Sequence, residues 1–282
     1  MSTDERGARM RNRRHFRTRL PRIAPRRLIV PLGLVAIWLF VTETDRVSNI
    51  FLPTAGDLWQ SLGDMKDQLP GAILASVSMV LTGFLLGTAI GVLLGLVMAY
   101  SQLARELGGD VLDFLRPVPI FALIPLFVLW FGIGRAPQIA LVTLGTAVIL
   151  GVTTVEAIRN IPSLYIRAAL TLGADRRRIY RTIILPWIFP HLLGAIRLAA
   201  AASWGLGVAA EFMGAQTGLG YLMIIRQQYL DTSGIILIVG IYAALALALD
   251  FAIRTIERPL TKWTERDVGV GAVAGVIGVR QA

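Results

Sequence analysis

Residues 167–186 read RAALTLGADRRRIYRTIILP, a basic segment between apolar runs that are long enough to cross a membrane. Around its start an apolar residue recurs at every fourth position, as in one stripe of a short amphipathic helix: Leu164, Ala168 and Leu172. Gly173 fits the left-handed position that ends a helix. Asp175 is a good N-cap for a second helix, which should end before Pro186. The segment therefore predicts two short helices joined by a tight turn.

The composition places this segment in a membrane protein. Hydrophobic residues make up 55% of the 282 residues, and the mean hydropathy is +0.65. Charged residues make up 16%, against about 25% in ordinary soluble domains. The apolar residues are grouped in runs, which indicates several membrane-spanning helices. The chain contains no cysteine, which excludes disulfide bonds and thiolate chemistry.

Six apolar runs predict an all-α, polytopic membrane protein with six transmembrane helices. The runs cover residues 28–41, 72–100, 115–131, 137–157, 187–213 and 235–253. They define a transmembrane domain over residues 28–260, with a basic N-terminal tail over residues 1–27, a loop over about residues 157–186 and a C-terminal tail over residues 261–282. In the second run a glycine recurs every four residues from Gly83 to Gly95. Small residues at this spacing predict the close approach of another helix.

The distribution of positive charge predicts the orientation of these helices. Of the 28 lysines and arginines, 23 lie in the two tails and in the loops on one predicted side, residues 1–27, 101–116, 157–186 and 254–282. The loops on the opposite side hold only four. Basic residues accumulate on the cytoplasmic side of a membrane, so we expect both termini to be cytoplasmic. The N-terminal tail suits contact with anionic membrane lipid. Nucleic-acid binding is not indicated by the net charge of +10, because no aromatic-interleaved basic surface accompanies it.

The basic loop resembles the EAA loop of ABC importer permeases, which reads Glu-Ala-Ala, three residues, Gly, nine residues, Ile, any residue, Leu-Pro. This chain matches every fixed position except the first, where Arg167 replaces glutamate. The resemblance implies a coupling helix that docks into a groove on a cytoplasmic ATPase. It assigns ATPase coupling to Arg167, Ala168, Ala169, Leu172, Gly173, Ala174, Asp175, Leu185 and Pro186. With arginine at the first position, we expect an acidic or neutral groove on the partner.

The resemblance extends to a particular branch of type I importer permeases. Residues 115–134, LRPVPIFALIPLFVLWFGIG, and Phe51-Leu52-Pro53 are similar to the sulfonate/nitrate/taurine-type branch. This similarity implies the permease subunit of an ATP-driven importer of the bacterial inner membrane, for a sulfonate, nitrate, taurine or related small organic anion. It implies two ATPase subunits, an extracytoplasmic substrate-binding protein and a second permease copy in a homodimer. Other members of the branch carry vitamin precursors or aromatic acids, which leaves the substrate open.

Four residues in or beside the spans are candidates for the translocation path or its gate: Arg197, Glu211, Pro119 and Pro125. A charge inside a span is costly and functional by default, although a structural ion pair is the alternative for Arg197. Glu211 ends the same span and is either a gate residue or a solvated helix end. The prolines break a span, which is tolerated only beside protein or water. The loop after Glu211 supplies candidates for docking of the binding protein: Gly218, Leu219 and Gly220.

The sequence predicts no catalytic, cofactor or metal site. A Walker A loop needs Gly-Lys-Ser/Thr, and neither lysine of the chain, Lys66 or Lys262, follows a glycine. We therefore assign ATP hydrolysis to the partner and expect a subunit that is not an enzyme. An ATP-independent channel or secondary transporter is the less favoured alternative, since it would need acidic residues at mid-bilayer. Glu211 and Asp250 lie near span ends, and His191 has no second metal ligand near it in the sequence.

Overall fold

The computed structural model describes residues 26–44, 47–48 and 51–260. Every regular element in these residues is helical, as predicted. The elements are α1 Arg26–Glu43, α2 Ala55–Met65, α3 Leu69–Tyr100, α4 Gln102–Leu115, a 3-10 turn Ile120–Leu123, α5 Ile124–Phe131, α6 Arg135–Arg159, α7 Ser163–Thr171, α8 Arg176–Ile179, a π-helical turn Tyr180–Ile184, α9 Leu185–Phe212, α10 Leu219–Gln228 and α11 Thr232–Leu260. Apart from Arg26 and Arg27, the two predicted tails lie outside the described residues.

Four helices in the described residues are long and apolar enough to span a membrane: α3, α6, α11 and the continuous stretch Arg176–Phe212. A fifth candidate is formed by α4 together with Ile120–Phe131, which are bent by 91° at the break between them. The first predicted span, residues 28–41, corresponds to α1. This helix belongs to a separate unit that ends at Thr54. Its 18 residues include two arginines and one glutamate, so its apolar part falls short of the roughly 20 residues that a span needs.

The glycine ridge of α3 lies against α6, as the sequence predicted. Four glycines form it: Gly83, Gly87, Gly91 and Gly95. A Cβ atom built on any of them would lie less than 3.0 Å from an α6 atom, among them the Ala147 carbonyl oxygen and the Thr154 side chain. Real Cβ atoms do not approach so closely, so these positions require glycine. The resulting contact between α3 and α6 forms the centre of the second unit, which begins at Ala55.

Replacing Gly91 with valine should destabilise the protein by about 1–3 kcal/mol, the usual cost of overpacking a tight contact. The matched control is Gly205→Val, because Gly205 also lies inside a spanning helix but has nothing within 4 Å of its Cβ position. Both changes carry the same helix-propensity penalty, so the difference isolates the contact with α6. The melting temperature of the detergent-solubilised protein measures it, and equal shifts for the two variants would contradict a required glycine ridge.

The second unit has two distinct ends. At one end α2, α10 and the first turns of α3 and α11 share an apolar cluster that includes Met65, Leu69, Leu219 and Ile238. At the opposite end of α3, helices α7 and α8 join a second cluster around Ile161, Ile179, Ile184 and Ile188. We call these the α10 end and the α7 end. The loops that charge counting assigned to opposite membrane faces therefore lie at opposite ends of the spanning helices.

We expected the second helix of the basic loop to end before Pro186, and this prediction is wrong. Instead α8 continues through the π-helical turn into α9, giving a single stretch of 37 residues. In the π-helical turn the Leu185 N–H donates to the Tyr180 carbonyl oxygen, five residues back. The wider π-helical turn lies directly before Pro186, which has no N–H with which to continue the regular α-helical bonding.

Candidate coupling surface and transport site

The two short helices of the basic loop are positioned by the residues that predicted them. α7 begins after Pro162, and Gly173 follows it with φ +77°, in the left-handed region. The Asp175 carboxylate accepts a hydrogen bond from the Arg178 N–H at 2.8 Å and caps α8. The predicted helix, turn and second helix start are therefore present, and the turn leaves the last residue of α7 and Leu172 exposed.

The apolar stripe of α7 faces away from the protein. Leu164 is 71% exposed and Leu172 is 87% exposed, and Ala168 between them is exposed as well. The opposite side of the segment contacts the α7-end cluster through the partly buried Ala169 and Ala174. Since a short helix does not leave two leucines in water without cost, this stripe has the properties of a docking surface for another protein.

Arg167 projects from the same helix without an acidic partner in the part of the chain that is described. Its guanidinium donates to the Ser163 hydroxyl at 2.9 Å, one turn back on α7. The side chain is exposed. Its charge is therefore accessible on the surface of α7, and its role in coupling to an ATPase stays a prediction. Leu185 and Pro186, the last residues of the loop motif, are also exposed at the start of α9.

Aromatic residues connect residues 163–184, which include α7, α8 and the π-helical turn, to the spanning helices. The sequence analysis did not identify these contacts. The Tyr180 hydroxyl donates to the Leu96 carbonyl oxygen of α3 at 2.7 Å, and its ring lies edge-on to Tyr100 at 5.4 Å. Tyr165 of α7 contacts Trp187 of α9, with ring centroids 5.6 Å apart. The π-helical turn therefore contacts α3 directly, and α7 contacts α9 directly.

At the α10 end, Glu211 is buried in a polar cluster. Only 2% of the residue is exposed. Its carboxylate accepts hydrogen bonds from the Ser76 hydroxyl at 2.6 Å, the Gly220 N–H at 2.6 Å and the Tyr242 hydroxyl at 2.8 Å. Ser76 in turn accepts from the Leu219 N–H at 2.8 Å. This Glu211 cluster joins α3, α9, α10 and α11, so the alternative of a solvated helix end is wrong, and a gate role for Glu211 stays a prediction.

Two glycines make room for this carboxylate. Gly218 has φ +117°, and a Cβ on it would lie less than 3.0 Å from both carboxylate oxygens of Glu211; a Cβ on Gly220 would meet the Glu211 side chain equally closely. The N-terminus of α10 therefore points at a negative group, which the helix dipole favours. Gly218, Leu219 and Gly220 are all buried. Their docking role stays a prediction, and the exposed residues beside them are Gln216 and Thr217.

Arg197 has acidic partners on α11. Its guanidinium lies 3.0 Å from the Asp250 carboxylate and 3.5 Å from the Glu257 carboxylate. Asp250 also pairs with Arg254, one turn away, at 2.7 Å. The structural ion pair that the sequence left open is thus present, and it neutralises a charge inside a span. A role for Arg197 in the translocation path stays a prediction.

Replacing Arg197 with glutamine separates the two roles. If the ion pair is structural, the melting temperature should fall by the equivalent of about 2 kcal/mol, less than for a fully buried pair, because Asp250 and Glu257 are left with excess negative charge. Adding Asp250→Asn restores neutrality and should recover part of the loss. Transport abolished in the single variant, with melting and assembly unchanged, would instead favour contact with substrate.

Pro119 and Pro125 lie at the break in the third predicted span. Pro119 precedes the 3-10 turn, and Pro125 lies in the first turn of α5. Ile120, next to Pro119, approaches Leu206 of α9 over Gly145 of α6. One side of the break therefore packs against α6 and α9, whereas Pro119 and Pro125 themselves are exposed. A place for these prolines in the translocation path stays a prediction.

These features define a class of protein: a helical membrane component with a free apolar helix exposed at one end of its spanning bundle. Residues 87–262 match the family described as binding-protein-dependent transport system inner membrane component. The chain belongs to this family and is a permease subunit of an ABC importer.

Known relatives agree with this assignment over most of the chain. The taurine transport system permease protein TauC of Escherichia coli (strain K12) is 28% identical over 237 residues, 82% of this chain and 86% of the relative. The putative aliphatic sulfonates transport permease protein SsuC of Bacillus subtilis (strain 168) is 30% identical over 238 residues, 84% of this chain and 86% of the relative. An inward-facing structure of the MetNI methionine ABC transporter aligns with a TM-score of 0.60 at 22% identity, over 71% of this chain and 99% of that one. The structural likeness shows the fold.

Proposed function

We propose that this permease imports a sulfonate, taurine or a related small organic anion, driven by ATP hydrolysis on a separate subunit. The observation that supports the coupling part is the exposed stripe of Leu164, Ala168 and Leu172 on α7. This helix contacts α9 through Tyr165, and the π-helical turn that follows α8 contacts α3 through Tyr180. The substrate class rests on relatives that are named for taurine and aliphatic sulfonates. A vitamin precursor or an aromatic acid is the second candidate, because the selecting residues of such importers lie largely on the binding protein.

The proposed assembly contains two copies of this permease, two ATPase subunits and one extracytoplasmic binding protein. α7 and α8 face the cytoplasm, together with both termini, as the distribution of the 28 basic residues suggests. The binding protein docks at the α10 end, beside Gln216 and Thr217. In this arrangement the chain itself carries out no catalysis.

Transport then follows from movement at the α7 end. Closure of the ATPases on ATP shifts α7, and contacts of Tyr180 and Tyr165 pass the shift to α3 and α9. Alternating access results when ATP-bound ATPases stabilise one arrangement of the spanning helices more than the other. We place the path beside α5 and α9, where Pro119, Pro125, Arg197 and Glu211 are candidate lining or gating residues.

Uptake by proteoliposomes tests this function. The permease is reconstituted with the ATPase encoded beside it and supplied with the neighbouring binding protein and radiolabelled taurine or an alkanesulfonate. We expect uptake that requires ATP inside the vesicles and the binding protein outside. Uphill uptake by the permease alone would overturn the proposal. ATP-dependent uptake of an uncharged vitamin precursor, with no uptake of sulfonates, would leave the coupling and replace the substrate.

The partner groove that receives Arg167 should be acidic or neutral. Arg167→Glu is then expected to weaken assembly with the ATPase several-fold, whereas Arg167→Lys should retain it, since one surface charge contributes about 0.2–1 kcal/mol. Copurification of the ATPase on a tagged permease measures the effect. A series of Arg, Gln and Glu variants with unchanged assembly would show that the charge at this position does not matter.

A further inference from the structure

Helix α4, which the sequence counted as part of an inner loop, is amphipathic in a way the transport function does not use. One side carries four large apolar residues that are all exposed: Leu103 at 66%, Leu107 at 65%, Val111 at 57% and Phe114 at 73%. A second side faces α3 and α6. There a Cβ atom built on Gly108 would meet the Met98 side chain of α3, and one built on Gly151 of α6 would lie 3.4 Å from Leu112. The third side carries exposed charges: Arg105, Glu106, Asp110 and Asp113. We call the first side the α4 stripe.

Both ends of α4 lie at the α7 end of the spanning helices. At its start, the Arg105 guanidinium donates to the carbonyl oxygens of Met98 and Ala99, in the last turn of α3. Immediately after its end, Arg116 pairs with Glu156, in the last turn of α6. A helix whose two ends are at the same depth runs along the membrane plane. The bend of 91° that follows turns the chain into α5.

The length and charge of α4 agree with this placement. Its 14 residues extend for about 21 Å, short of the roughly 30 Å hydrocarbon core. The four charged residues on its third side would be costly in that core. An amphipathic helix of this kind lies in the interface, with its apolar side among the acyl chains.

A large apolar groove continues the α4 stripe into the membrane. Its volume is about 870 Å³, and α3, α4, α5 and α6 form its walls. Leu107 and Val111 belong both to the stripe and to the groove. The groove also includes Leu86, Leu94 and Val97, which are exposed on the spanning helix α3. The stripe is thus continuous with a surface that lies at membrane depth.

We propose that α4 lies flat in the membrane leaflet at the α7 end and that lipid acyl chains cover its stripe and fill the groove behind it. Lipid suits the α4 stripe better than a helix of a second copy, because the stripe itself has no small residue that would let another backbone approach closely. The charged side of α4 then faces headgroups and water. This placement holds whichever solute the importer carries.

The absence of cysteine from the chain allows a direct test with single-cysteine spin labels. Labels are placed at Leu103, Val111 and Phe114 on the stripe, at Asp110 and Asp113 on the charged side as matched controls, and at Ala140 in the groove. The full-length permease, assembled with its ATPase in phosphatidylethanolamine–phosphatidylglycerol vesicles, is examined for accessibility to oxygen and to a water-soluble nickel chelate. The three stripe sites should be oxygen-accessible and nickel-excluded, at a common depth about 5–10 Å below the headgroups. Ala140 should be oxygen-accessible, and the controls should be nickel-accessible.

Three outcomes would overturn the proposal. A depth that increases steadily from Leu103 to Phe114 would mean that α4 spans the membrane. Protection of the stripe from both reagents, with dipolar broadening between labels, would mean that a second permease copy covers it. Nickel access at the stripe would place it in water. ATP-dependent uptake by the same vesicles is measured in parallel, so a failure of the transport proposal is distinguished from a failure of this one.

Discussion

Replacing Glu211 with alanine is expected to remove most of the stable permease from the membrane. The change deletes the acceptor for three donors, the hydroxyls of Ser76 and Tyr242 and the N–H of Gly220, and none of these can reach water. Each buried donor left without a partner costs about 1–3 kcal/mol, so the total loss should be on the order of 3–5 kcal/mol. Because folded proteins are stable by only about 5–15 kcal/mol, much of the protein should misfold or aggregate.

The amount of folded permease after detergent extraction, and its melting temperature, measure this effect. Glu106→Ala is the matched control, since Glu106 is exposed and accepts only from Gln102 on the same helix face. Glu211→Gln should fall between the two, because the amide keeps one acceptor oxygen but directs an NH₂ group at a donor. A melting temperature of Glu211→Ala close to that of Glu106→Ala would show that the cluster does not stabilise the fold.

Replacing Leu172 with aspartate should leave the permease folded but abolish its transport, whereas the change at Glu211 acts on folding. Leu172 is 87% exposed, so the substitution removes no internal contact and should change stability by less than about 0.5 kcal/mol. A charge at the centre of the proposed ATPase contact would instead leave an unpaired carboxylate in an apolar groove, which costs several kcal/mol. ATP-dependent uptake should fall at least about 100-fold, since each 1.4 kcal/mol is a factor of ten.

The control for this prediction is Leu172→Met, which keeps an apolar side chain of similar size and should retain uptake. Copurification of the ATPase, melting temperature and uptake are measured on the same preparations. Normal ATPase binding and normal uptake in Leu172→Asp would remove the basis for treating α7 as the coupling helix. A parallel loss of melting temperature would mean that the exposed stripe is covered within the permease.

Local chemistry was enough to predict the turn between α7 and α8 and the glycine face of α3 that another helix approaches. Gly173 and Asp175 act on their immediate neighbours, so their roles as helix end and N-cap can be read from the chain alone. The glycines of α3 repeat every four residues, and this periodicity identifies a helix face without knowledge of its partner. The α4 stripe carries a similar periodic signal, with Leu103, Leu107 and Val111 four residues apart, although charged residues lie between them in the sequence.

The Glu211 cluster could not be predicted, because its members are far apart in the sequence. Ser76 lies 135 residues before Glu211, and Tyr242 lies 31 residues after it. Only the relative placement of α3, α9 and α11 brings them together. The available signal was weak: a serine and a tyrosine, each inside an otherwise apolar run, need polar partners in a membrane. The acidic partners of Arg197 were hidden for the same reason, since they lie on α11.

The stretch Arg176–Phe212 has the proportions of a lever. The π-helical turn divides it into a short arm, α8, of 4 residues and a long arm, α9, of 28 residues. At 1.5 Å per residue the arms are about 6 Å and 42 Å long, so a tilt that moves the short arm by about 1 Å sweeps the far end, where Glu211 lies, through roughly 7 Å. Distances measured between spin labels with and without nucleotide would exclude this lever if the far end moved less than Arg176. A small displacement of α8 would then become a displacement about seven times larger at the end of α9 that holds Glu211.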